Sequence, residues 1–145
     1  MDEASMNSWT KPASTYMPKG RNIKITISSS RFSGITLFGC IGNCMPGGFI
    51  YQLHKSTTQV SVRLFLKEIR DKATLLLNDP IYLVMDNHSA HKTPLTLELL
   101  RELNICPYFM SSNSPEFNSI ETLWAGVKKR FHDSLNEHVK IHKLT

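Results

Sequence analysis

A short apolar run that ends in a carboxylate constrains this chain more than any other stretch. Ile81-Tyr82-Leu83-Val84-Met85 lies between turn residues and delivers Asp86-Asn87 at its end. An apolar run of that length between turn signals reads as a strand buried on both faces. Downstream, Ile120, Leu123, Trp124, Val127 and Phe131 recur at helical offsets, which predicts a helix with one apolar face. Glu121 lies on that helix, with 34 residues between it and Asp86. Strand C-termini and packed helices meet at one edge of an open α/β sheet. The pattern therefore carries two carboxylates to a place where they can converge on a cation.

The other segments supply the frame. Pro12, Pro18 and Gly20 mark a loop over residues 9–21, and residues 23–28 alternate apolar and polar as a half-exposed strand does. Residues 34–41 read as a more buried strand, 43–48 as a turn and 49–53 as a returning strand, together an antiparallel hairpin. Ser56-Thr57-Thr58 offers N-cap hydroxyls. Val62, Phe65, Leu66, Ile69, Ala73, Leu76 and Leu77 then form one helix face, stopped by Asn78-Asp79-Pro80. Thr93-Pro94 opens a second helix lined by Leu95, Leu99, Leu100 and Leu103. Residues 105–110 read as a strand and 111–119 as a polar loop. The order hairpin, helix, strand, helix, strand, helix predicts an α/β fold: a mixed central sheet with helices on both faces. One domain is expected over residues 1–135, followed by a weakly patterned tail over 136–145.

Composition narrows the function classes. The formal net charge of +5 and a pI near 9.2 suit a polyanionic partner. The cysteines, Cys40, Cys44 and Cys106, are odd in number, which argues against a secreted disulfide framework. Cys40, Cys44 and His54 lack a fourth zinc ligand and read as buried free thiols and an ordinary histidine. No apolar run approaches 18 residues, and the start has neither a basic nor an apolar leader region. Neither secretion nor a membrane span is expected.

Asp86-Asn87, His91, Ser114-Pro115, Asn118, Ile120-Glu121 and Trp124 form a long ordered pattern. It resembles the catalytic core of mariner-type transposases, in the superfamily of endonucleases that use two aspartates and a glutamate (Asp-Asp-Glu, DDE). Glu116 stands where that family carries Asp. Ser119 stands where it carries Pro, which removes a rigid helix start. Asp2-Glu3 aligns with the family's first acid, which several apolar residues usually precede; here Met1 alone precedes it.

The resemblance implies an RNase H-like fold whose first strand is largely missing, with Asp2 on a frayed terminus. It implies Asp2, Asp86 and Glu121 as catalytic residues and metal ligands, with Asn87, His91 and Asn118 in support. Lys128, Lys129 and Arg130, placed toward the end of the helix, would contact the DNA backbone. Two magnesium ions, with manganese able to substitute, would serve cleavage of double-stranded DNA at transposon ends and its transfer to a target, by a homodimer. No helix-turn-helix recognition region accompanies the core, and the chain by itself is expected to be inactive or weak. His91 could orient a phosphate or a water beyond the metal's own ligands. Each residue also has a plainer reading: Asp86-Asn87 as a turn cap, Glu121 as a solvated helix residue, His91 as a surface residue, Trp124 as core, and Lys128, Lys129 and Arg130 as a solvated helix end. The rival functions are a non-catalytic remnant that binds nucleic acid or protein, and a structure-selective nuclease.

Overall fold

The computed structural model describes residues 1–6, 34–76, 78–111 and 118–141, with side chains described up to residue 134. The strand expected at 23–28 and residues 112–117 of the polar loop lie outside the described residues. Three antiparallel strands, β1 (Asp2–Met6), β2 (Ile35–Ile41) and β3 (Phe49–His54), form one sheet in that order. β4 (Ile81–Met85) and β5 (Ile105–Phe109) form a parallel pair. The helices are α1 (Gln59–Lys72), α2 (Pro94–Glu102) and α3 (Ile120–Ile141). The expected β2–β3 hairpin is present. Its turn places Gly47 and Gly48 at φ 65° and 79°, a backbone region that suits glycine because it has no Cβ.

Alternation along β2 divides the interior in two. Phe38 and Cys40 face the larger core, with Val62, Phe65, Leu66 and Ile69 of α1, Leu99 and Leu100 of α2, and Ile81, Leu83 and Met85 of β4. Leu37 faces the opposite way and packs with Ala4, Ile120 and Trp124. Helices therefore cover both faces: α1 and α2 on one, α3 on the other. The two sheets meet where the Met1 amino group donates to the Val84 carbonyl at 2.8 Å.

Several expectations change. The first strand, expected to be largely missing, is present over five residues. The residues after Asp2 supply it, and each pairs with β2, from Asp2 opposite Gly39 to Met6 opposite Ile35. Asp2 is consequently buried rather than frayed. Helix α1 begins as predicted, with Thr58 as N-cap in a reciprocal capping box with Ser61. It ends at Lys72, before Leu76. Ala73 turns extended, Thr74 donates its backbone N–H to the Cys44 carbonyl, and the buried Arg70 guanidinium takes the carbonyls of Leu76 and Asp79. These alternative partners satisfy the backbone without another helical turn.

β4 is not buried on both faces: Ile81, Leu83 and Met85 point into the core, but Tyr82 and Val84 are 65% and 49% exposed. The reason is that α3 packs over β1 and β2, and Tyr82 and Val84 remain open on that side. Leu95 in α2 is also 50% exposed, while Leu99 and Leu100 are buried. Helix α3 continues to Ile141, across the boundary expected at residue 135, so Lys128, Lys129 and Arg130 lie mid-helix rather than at its end. Among the described residues, no helix is long and apolar enough to cross a membrane.

Candidate active site

The site is built from the start of β1, the end of β4 and the first turn of α3. β1 carries Asp2 into contact with α3. Its Oδ2 accepts from the Asn118 amide at 3.0 Å and from the Trp124 indole N–H at 3.2 Å. This approach depends on Gly39, the β2 partner of Asp2. A Cβ there would come within 2.7 Å of Trp124 Cζ2. The missing side chain lets the indole lie flat enough on the strand to reach the carboxylate.

Burial pushes the Asp2 carboxyl above the ordinary carboxylate range, and the negative charges of Glu121 and Glu3 push it further; the Glu3 backbone N–H and the Trp124 indole oppose this. Both side-chain donors to Asp2 are neutral. A divalent ion would relieve the repulsion on a buried carboxylate placed among like charges. Glu121 is exposed in the first turn of α3, where its charge also suits the helix dipole.

Asp86 follows the last residue of β4. Its Oδ1 accepts from the His88 backbone N–H at 2.9 Å and lies 3.0 Å from His91 Nδ1. One oxygen thus caps the turn after the strand, as the plainer reading has it, while the side chain stays 43% exposed. Asn87 donates to the Met110 carbonyl and accepts from Lys92, which ties the ends of β4 and β5 together.

His91 is fully buried, on a short 3-10 turn over Ser89–Lys92. Its Nδ1 faces Asp86 and its Nε2 lies 2.9 Å from Glu3 Oε1. It is therefore not a surface residue, and no ring nitrogen remains for a phosphate. Burial alone would lower the imidazole's pKa, but the hydrogen bond and charge of Glu3, and then the contacts with Asp86, outweigh it and hold the value above the ordinary one.

Two groupings result. Asp2 gathers Asn118 and Trp124 by hydrogen bonds and feels the charge of Glu121; Asp86 gathers His91 and, through it, Glu3. Among the described residues, donor atoms of Glu3, Asp86 and His91 come within 4.8 Å of one another. In that trio the imidazole sits between two carboxylates: Nε2 is hydrogen-bonded to Glu3, while Nδ1 is hydrogen-bonded to the Asp86 carbonyl and lies 3.0 Å from its carboxylate. Asp2 and Glu121 feel each other's charge, and Asp86 carries a partly exposed carboxylate; carboxylate oxygens are the ligand type that a hard cation takes.

Sequence reasoning missed Glu3, Gly39 and the Trp124 indole N–H. Glu3 sat beside an aligned acid, and Gly39 inside a strand pattern hinted at a close approach. Neither signal names the partner. A family model described as DDE superfamily endonuclease matches residues 1–143. No curated protein matches the chain.

Proposed function

Because this chain belongs to the DDE superfamily endonucleases, whose members typically depend on divalent metal, we propose that it carries mariner-type transposase chemistry. In this reading it cleaves phosphodiester bonds of double-stranded DNA at transposon ends and transfers the freed ends to a target. The observation that supports it best is the buried Asp2 carboxylate, pressed by Glu121 and Glu3 and bonded by neutral side-chain donors.

Asp2, Asp86 and Glu121 would hold the divalent ions, magnesium or manganese. A bound ion of this kind makes water or a 3′-hydroxyl a better nucleophile and stabilises the leaving oxygen. The chain's own residues do the positioning. Asn118 and Trp124 fix one oxygen of Asp2. The His88 N–H fixes one carboxylate oxygen of Asp86, and His91 holds its carbonyl and lies against the same carboxylate. Asn87 holds the ends of the two parallel strands together behind them. Lys128, Lys129 and Arg130 are exposed on the helix that carries Glu121 and would attract phosphates without reading sequence. A homodimer acting on DNA, in the nucleus if the source is eukaryotic, completes the reading.

The expectation of an inactive chain rested in part on a frayed Asp2. With Asp2 paired and buried, that reason is gone, and metal-dependent but sequence-indifferent cleavage is expected. The test is nicking of supercoiled and linear duplex DNA in magnesium, in manganese and in chelator, across a salt series. Wild type should nick with either ion, and Asp86→Asn should not, while both melt cooperatively. Asp86→Asn cleaving normally at saturating magnesium would contradict the assignment. DNA binding without cleavage in any ion would favour the non-catalytic remnant.

A further inference from the structure

Glu3 is the acidic residue that the site description leaves without a task. Its side chain is 9% exposed, and its Oε1 contacts a histidine 88 positions away that is itself fully buried. The other nitrogen of that histidine lies 3.0 Å from Asp86 Oδ1 and 3.4 Å from the Asp86 carbonyl. The chain Glu3–His91–Asp86 thus runs from β1, the strand of Asp2, to the end of β4.

This link matters because β1 and β4 belong to different sheets. No ladder of backbone bonds fixes one strand against the other. Among the described residues, the polar ties that cross between them are the Met1 amino group on the Val84 carbonyl and Glu3 on His91. The first sets the height of the strands. The second reaches the carboxylate itself.

His91 is well suited to transmit position. Its turn is pinned by His91 N–H on the His88 carbonyl and by the Thr96 hydroxyl on the Ala90 carbonyl. With Nε2 held by Glu3, the ring can present only Nδ1 to Asp86. Oδ1 then accepts the His88 N–H and lies 3.0 Å from Nδ1, whose own hydrogen bond is to the Asp86 carbonyl. Partners that orient a ligand in this way usually govern affinity as strongly as the ligand's own contacts.

We propose that Glu3 is a positioning residue for Asp86, acting through the buried His91, and that the pair keeps the two aspartates of the site in register across the gap between the sheets. This rests on the reading of Asp2 and Asp86 as metal ligands.

The test uses the full chain and manganese alone, in wild type, Glu3→Ala, Glu3→Asp, Glu3→Gln and Asp86→Asn. Calorimetric titration gives the affinity, a thermal melt the fold, and carbon-13 NMR of the side-chain carboxyls reports Asp86 directly. Glu3→Ala should weaken manganese binding by about 10- to 100-fold and shift the Asp86 carboxyl signal. Glu3→Asp keeps the charge but loses a methylene of reach, so it should also weaken binding; it carries the test if Glu3→Ala does not fold. Glu3→Gln keeps an acceptor oxygen for His91 and should restore most of the affinity. Folded Glu3→Ala or Glu3→Asp that binds manganese like wild type, with the Asp86 signal unmoved, would overturn the proposal and leave the metal reading intact. A wild type that binds manganese no better than Asp86→Asn would sink the metal reading, and the proposed role of Glu3 with it.

Discussion

Asp2 and Asp86 belong to one candidate centre and are held by opposite means. Asp2 is buried and depends on side chains 116 and 122 residues away, Asn118 and Trp124. Asp86 is partly exposed and depends first on its own turn, through the His88 N–H, and then on His91 five residues on. The first arrangement is as stable as the packing of α3 on β1 and β2. The second depends on its own turn and, through His91, on Glu3. Damage to the α3 packing should therefore loosen Asp2 more than Asp86.

Trp124→Ala should have the largest effect. It empties a fully buried indole site against Gly39, Ala4 and Leu37 and should cost about 3–5 kcal/mol in urea unfolding. If the comparison is right, the His91 ring signals in NMR stay near their wild-type positions in whatever fraction remains folded. A shift as large as that of the Asp2 signals would show that the two ends are not separable.

Ion binding comes next. At a concentration of 100 times its dissociation constant, manganese should stabilise wild type by about 2.7 kcal/mol, and Asp2→Asn and Asp86→Asn should both lose this. Asp2→Asn should also differ from wild type in chelator. The folded-state pKa of Asp2 is raised above 3.8. Its favourable contribution is therefore full below 3.8 and is lost as pH rises through the raised value. Asn at this position escapes that loss, so the stability of Asp2→Asn relative to wild type should rise over the same window in ion-free urea titrations.

Gly39→Ala should cost about 1–3 kcal/mol, because the new methyl overlaps an indole ring that has nowhere to retreat. A melting temperature equal to wild type would mean that Trp124 can shift freely, and that Gly39 does not set the Asp2 contact. Asn118→Ala is the mildest change, about 1 kcal/mol for one lost hydrogen bond, read in the same urea experiment.

The difference between the two ends also explains what the sequence could reveal. The Asp86 end was legible because its signals are local: an apolar run, Asp-Asn after it, and a histidine within one short turn. The β2–β3 hairpin, the start of α1 at Thr58 and the apolar stripe of α3 were legible for the same reason. The Asp2 end was not. Its burial depends on Gly39 and Trp124, which lie on other elements, and periodicity carries no information about which faces meet. Likewise, Glu3 and His91 each look like surface residues until the fold brings them together. The early end of α1 depends on Arg70 reaching two carbonyls in the following loop, and β4 read as doubly buried because its apolar run says nothing of how far α3 reaches across the sheet.

The central claim is that a divalent cation is held where β1, the end of β4 and the start of α3 meet. Backbone cleavage by iron bound in place of magnesium, with ascorbate and peroxide, tests it most directly, because hydroxyl radicals cut only the chain near the ion. The account predicts cuts beside Asp86, beside Glu121 and near Gly39, which lies opposite Asp2, all suppressed by excess magnesium and absent in Asp86→Asn. Cuts confined to the neighbourhood of Cys44 and His54, or cuts that magnesium does not suppress, would contradict it.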